Sequence, residues 1–210
     1  MGNFGMIEYI EYMENTNTNT TNTTKFKKAL FFFLEIIQIV AIALVIVLPI
    51  RYFIFQPFVV KGASMEPNFH ENDYLVVDEI SYRLRDPERG EVVVFKYPED
   101  PSQRFIKRIV GLPGERVSLN NNKVQITTQE GEQFTLDESL YLVDLLWFGN
   151  KEVVLNKDEY FVMGDNRPHS FDSRRWGPLD REKIIGRVVL RAWPLDDISL
   201  ISAPAYSLNL

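Results

Sequence analysis

The stretch from Ala29 to Ile50 constrains this chain more than any other, because it is an almost unbroken apolar run. As an α-helix it would extend roughly 33 Å at ~1.5 Å per residue, enough to cross the hydrocarbon core of a bilayer. Glu35 and Gln38 interrupt it, three residues apart and therefore on one helix face. A buried helix of a soluble protein would read similarly. A cleaved leader fits less well, since no small-residue cleavage site follows. Lys25, Lys27 and Lys28 precede the run, which predicts a cytoplasmic N-terminus. Arg51-Tyr52-Phe53-Ile54-Phe55 then sets aromatic rings where the membrane meets water. The expected organisation is a disordered cytoplasmic tail over 1–24, a single membrane anchor over 25–52 and an extracytoplasmic domain over 53–210. The tail reading rests on Asn15 to Thr24, all of them Asn or Thr, which cannot bury a core.

Beyond Pro67 the pattern is β. Asp73–Val77, Glu91–Phe95, Gln103–Val110 and Ile184–Trp193 are rich in β-branched and aromatic residues, and Gly- or Pro-containing turns separate them. Asn120-Asn121-Asn122 and Glu130-Gly131-Glu132 mark turns inside a less regular stretch. That stretch, about 115–158, is expected to be a small inserted lobe. The fold class is therefore mainly β, a β-rich domain with an insertion, preceded by one transmembrane helix.

Composition narrows the chemistry. The net charge of −6 argues against nucleic acid as a partner. With no cysteine and only His70 and His169, thiolate and histidine-rich metal sites are excluded. No metal and no cofactor is expected. A serine nucleophile remains open, but it needs a base.

Ser64 sits in Val60-Lys61-Gly62-Ala63-Ser64-Met65-Glu66-Pro67. Gly62 lets the backbone turn tightly in front of it. In Arg104-Phe105-Ile106-Lys107-Arg108-Ile109-Val110, strand alternation puts Lys107 on one face with Phe105 and Ile109. A lysine between large apolar neighbours loses hydration, which disfavours its ammonium form. A fall of two pH units from the free value corresponds to roughly 2.7 kcal/mol and would leave an amine able to accept a serine proton near pH 8. The competing reading is a surface lysine with its head in water. Arg104 and Arg108 fall on the opposite face, expected to be a solvated or ion-paired edge. A third stretch, Gly164-Asp165-Asn166-Arg167-Pro168-His169-Ser170-Phe171-Asp172-Ser173-Arg174, combines a sharp turn with two serines. Asp172 could pair with Arg174 and fix the loop, and Ser170 could meet the lysine amine.

Gly62-x-Ser64-Met65-x-Pro67, Lys107-Arg108-x-x-Gly111-x-Pro113-Gly114 and Gly164-Asp165-Asn166-x-x-x-Ser170-x-Asp172-Ser173-Arg174 resemble, in order, the sequence boxes of bacterial type I signal peptidases. Phe95-Lys96-Tyr97-Pro98-Glu99-Asp100-Pro101 and Ala192-Trp193-Pro194-Leu195 add to the likeness, which spans about Gln56 to Leu195. The resemblance implies a membrane-anchored serine endopeptidase with a Ser/Lys dyad. Ser64 would be the nucleophile, forming an acyl-enzyme, and Lys107 the general base. Ser170 would orient the lysine, and Asp172 and Arg174 would support the site. The Ser64 N–H and the Gly62 region would hold the oxyanion. Phe58, Val60, Leu75, Val94, Phe105 and Ile106 would line shallow pockets for the small residues of an Ala-x-Ala segment. The partners implied are secretory preproteins and membrane lipid. Two positions depart from the pattern. Gly62 stands where some members carry a serine that helps to hold the oxyanion, and Glu115 replaces an aspartate after Pro113-Gly114. Two other readings compete: a self-processing Ser/Lys protease, and a membrane-tethered binding protein without activity.

Overall fold

The computed structural model describes residues 28, 30–47, 55–142, 149–204 and 206. The tail expected over 1–24 and the aromatic stretch 51–54 lie outside them. The chain divides into two units, Met1–Ile50 and Arg51–Leu210. In the first, helix α1 covers Leu30–Val47 with a mean hydropathy of 2.9. It is long and apolar enough to cross a membrane, and its phenylalanines, leucines and isoleucines are exposed.

The second unit is built from short antiparallel strands: β1 (Phe55–Val59), β2 (Tyr74–Asp78), β3 (Val92–Lys96), β4 (Arg104–Gly111), β5 (Arg116–Asn120), β6 (Lys123–Thr127), β7 (Gln133–Thr135), β8 (Lys151–Val154), β9 (Glu159–Met163), β10 (Leu179–Asp180), β11 (Ile184–Trp193) and β12 (Ser199–Leu200). Two one-turn helices, α2 (Ser81–Leu84) and α3 (Ser173–Trp176), lie between them. The main sheet runs β1-β2-β11-β3-β4-β9-β10, with β12 added to β11. The stretch expected as an insertion forms its own four-stranded sheet, β7-β6-β5-β8.

Valine runs explain the centre of the main sheet. Val92 and Val94 of β3 enter a core with Val60, Met65, Phe69, Leu75 and Ile106. Val93 and Phe95, on the other face, join Ile109, Tyr160 and Val162. Both faces are thus covered, which is why β3 reads as a continuous apolar run rather than an alternation. The same double cover corrects one expectation. From Ile106 to Gly111 every residue of β4 is buried. Arg104 is exposed as expected, and Arg108 is ion-paired, with Asp165, but in the interior, 5% exposed, rather than at an edge. A third core joins the small sheet to the main one, packing Val117, Leu119, Val124 and Ile126 against Val110, Phe161 and Met163.

Candidate active site

Three segments meet at the C-terminal side of β1 and along β4. The first is the turn after β1. Gly62 has φ +76°, a left-handed conformation that glycine adopts without a Cβ clash, and open space lies where a Cβ would project. The main chain then turns so that the half-buried Ser64 faces β4.

β4 supplies Lys107, of which only 4% is exposed. Its Nζ donates to Ser64 Oγ at 2.7 Å and to the Ile106 carbonyl at 2.7 Å, and it lies 5.5 Å from the Phe105 ring centroid. Among the described residues no carboxylate pairs with the amine. Burial pushes Lys107 down from 10.5 to about 8, and the charges of Asp172 and Asp165 only partly oppose this. An amine in this state, at hydrogen-bond distance from a hydroxyl, can accept the hydroxyl proton near neutral pH.

The third segment is the turn from Gly164 to Arg174. Asn166 ties it to the nucleophile turn twice: its N–H donates to Ser64 O at 3.0 Å and its side-chain amide to Ala63 O at 3.0 Å. Position 164 must be glycine for this approach, because a Cβ there would stand 2.4 Å from Ser64 O and 2.2 Å from Ser170 Oγ. Asp172 is fully buried. It accepts from Gly164 N–H at 3.0 Å and from Arg174 Nε and Nη2, both at 2.8 Å. Burial alone would raise its carboxyl, but Arg174, with help from the Ser170 hydroxyl and Gly164 N–H, holds it below the usual carboxylate range. Asp172 is therefore an anion that faces Lys107 without neutralising it.

The sequence-predicted residues come together unevenly. Ser64, Lys107, Asp172 and Arg174 share one site. Ser170 is buried beside Gly164 and Asp172, but its hydroxyl makes no hydrogen bond to the Lys107 amine. Phe58, Phe105 and Ile106 line a cleft of about 400 Å³ that ends at Ser64 and Lys107. Val60, Leu75 and Val94 lie in the core behind Ile106 instead. His169 is exposed, and its ring nitrogen meets Asn166 Oδ1 at 3.1 Å. Glu115 is buried, accepting from Leu112 N–H at 2.8 Å and pairing with Arg89 at 2.5 Å.

Sequence reasoning gave no role to the polar spine beneath the site. Arg108 grips Asp165 with two hydrogen bonds, 2.9 and 2.7 Å. Asn68 bridges Asp165 to the Tyr141 carbonyl at 2.8 and 2.7 Å. The adjacency of Arg108 to Lys107 and of Asp165 to Asn166 was the only signal available. Among the described residues no group of His, Asp and Glu side chains is placed to hold a metal ion.

Residues 33–193 match the family model described as signal peptidase, peptidase S26. A probable signal peptidase I-2 of Synechocystis sp. is 38% identical over 82% of this chain and 78% of its own length. Signal peptidase IB of Staphylococcus aureus is 31% identical over 84% of this chain and 97% of its own. A crystal structure of a signal peptidase I from Enterococcus faecalis V583 shares 27% identity, covering 49% of this chain and 97% of that one, with a TM-score of 0.41.

Proposed function

This chain belongs to the signal peptidase family, peptidase S26, and on that premise we propose that Ser64 is its nucleophile and Lys107 its general base. Membership makes it a serine peptidase of a membrane-associated family, acting to remove signal peptides from secreted preproteins. The dyad is the finer reading. The observation that carries it is the 2.7 Å contact between Lys107 Nζ and Ser64 Oγ in a setting that favours the neutral amine.

In this mechanism the Lys107 lone pair takes the Ser64 proton as Oγ attacks the scissile carbonyl. The resulting ammonium then gives that proton to the departing amine, leaving an acyl-enzyme on Ser64. Lys107, neutral again, takes a proton from water as it attacks the acyl carbon, and returns that proton to Ser64 Oγ as the C–Oγ bond breaks and the carboxylate product leaves. The tetrahedral oxygen is held by the Ser64 N–H, which donates to no group among the described residues, and by a donor of the Gly62 turn. Asp172 and Arg174 support the third segment, and Ser170 fills the space beside Gly164 and helps to hold the Asp172 anion.

The substrate lies along the Phe58–Phe105 cleft as an added strand, recognised by main-chain hydrogen bonds. Bulky walls at Phe58, Phe105 and Ile106, backed by Val60, Leu75 and Val94, leave room for small side chains, which gives an Ala-x-Ala preference. Helix α1 is the single membrane anchor within 25–52, with the 1–24 tail cytoplasmic and residues 53–210 outside. Lipid is then a partner and nucleic acid is not. The test is incubation with a preprotein bearing Ala-x-Ala. Site-specific cleavage by the wild-type chain that disappears in both Ser64→Ala and Lys107→Ala supports the dyad, whereas undiminished cleavage by Lys107→Ala overturns it.

A further inference from the structure

We propose that the small sheet grips the turn carrying Asp172, and that Lys151 is a positioning residue acting through Asp172 on Lys107. The proposal rests on the dyad reading above and adds a residue from outside its three segments.

Lys151 opens β8, where its backbone pairs with Leu119 of β5. Its side chain leaves that sheet. Nζ donates to the Ser173 carbonyl at 3.1 Å and to the Arg174 carbonyl at 2.8 Å. These are the two residues directly after Asp172. Ser173 is held from the opposite direction as well, because its Oγ accepts from Val162 N–H of β9 at 3.1 Å. The backbone that follows Asp172 is therefore fixed between the main sheet and the small one.

A second grip comes from Glu138, between β7 and β8. Its carboxylate pairs with Arg167 in a contact from which water is excluded, the side chains being 3% and 1% exposed. Arg167 in turn donates from Nε to Gly164 O at 3.1 Å, and its own carbonyl accepts from Arg174 Nη2 at 2.7 Å. Residues of the inserted stretch thus hold the 164–174 turn near its start and near its end. The small sheet can transmit this constraint because its core is continuous with Val110, Phe161 and Met163.

Lys151 also has the electrostatics of a seated group. Burial lowers its ammonium, and the charge of Asp172 opposes that. The charged groups acting on Lys107 are Asp172, Asp165 and Arg174, and Lys151 is not among them. Loss of Lys151 therefore reaches Lys107 chiefly by letting Asp172 move. Retreat of that carboxylate removes a charge that stabilises the Lys107 ammonium, so the lysine titrates lower. The small misalignment of base and nucleophile slows the chemistry, since displacement by an ångström can cost about a hundredfold.

The experiment compares Lys151→Met, Lys151→Arg and Glu152→Gln in the full-length chain reconstituted in lipid, using a peptide substrate of the Ala-x-Ala type. Glu152 is the next residue on the same strand and pairs with the exposed Arg116. In Lys151→Met, kcat is expected to fall about ten- to a hundredfold with KM within about twofold. The pH midpoint of kcat/KM is expected to drop below that of wild type, where Lys107 is lowered to about 8. Lys151→Arg should recover most of kcat, and Glu152→Gln should match wild type. Wild-type kcat and midpoint in Lys151→Met overturn the proposal. So does a loss confined to the folded fraction, with kcat per folded molecule and midpoint unchanged. Lys107→Ala run alongside separates the two readings. If it retains cleavage, the dyad falls. If it is inactive while Lys151→Met is unaffected, only the grip falls.

Discussion

Lys107 and Arg108 are neighbours on one strand, both buried, and they occupy opposite electrostatic situations. Arg108 meets a carboxylate at matched geometry: Asp165 takes two of its N–H groups and the Gly90 carbonyl a third, at 2.8 Å. Burial would lower its pKa, but Asp165 wins and raises it. Lys107 is given a hydroxyl and a carbonyl, both neutral acceptors, and its ammonium is correspondingly disfavoured. Burial is common to both. The counter-charge decides whether a buried cation stays charged or becomes a base. One side of β4 is built for persistence of charge and the other for its easy loss.

Removing Lys107 tests the reactive side most severely. Lys107→Ala should lower kcat/KM for preprotein cleavage by about 10²–10⁴-fold, read in a steady-state assay on samples whose folding is checked by circular dichroism. In wild type the same assay should rise with pH through about 8 and stay high into the mildly alkaline range, because the base works when deprotonated. The structural side should respond in stability instead. Asp165→Ala leaves Arg108 buried without its partner and should cost about 3–5 kcal/mol in denaturant unfolding.

Lys107→Met sharpens the contrast, for it should stabilise the protein it inactivates. The folded pKa near 8 lies below the free value of 10.5, so the native state resists a proton that the unfolded chain accepts. The penalty is full below pH 8, shrinks as pH rises toward 10.5 and then vanishes. At pH 7 the variant should therefore be more stable by up to about 3 kcal/mol, with the difference closing by pH 10.5. Asp172→Asn removes the charge that most supports the ammonium. It should move the pH midpoint of kcat/KM downward by roughly one unit or less, measured in the same rate profile. The smallest effect belongs to the exposed pair Arg116–Glu152, more than half exposed on each side. Its loss should change stability by about 0–1 kcal/mol.

The contrast also marks what could be read from the sequence. Strand alternation put Lys107 beside Phe105 and Ile109, which made its desolvation one of two readings, and the sequence boxes around it decided for the base. The same alternation sent Arg108 to a wet or paired edge. The pairing is there, with Asp165, but the edge is not, because alternation assumes one face in water and β4 is covered on both. The inserted sheet was legible as turns at Asn120–Asn122 and Glu130–Glu132. Its hold on the site was not, because Lys151 and Glu138 read as ordinary charges on an irregular stretch. Their partners are main-chain carbonyls and a buried arginine distant in the chain, and no local pattern announces such contacts. Ser170 shows the opposite case. The motif suggested a bond to the lysine amine, and the described geometry gives packing beside Gly164 and Asp172 instead.

The second acceptor of the Lys107 amine is a peptide oxygen, Ile106 O, at 2.7 Å. Every residue type carries that oxygen, so no replacement of the Ile106 side chain can delete it. One amine hydrogen is committed to it in either protonation state, and the lone pair is left to swing toward the hydroxyl. The cleft wall can therefore drift under selection, for instance against an inhibitor lodged on residue 106, while the aim of the base is inherited unchanged.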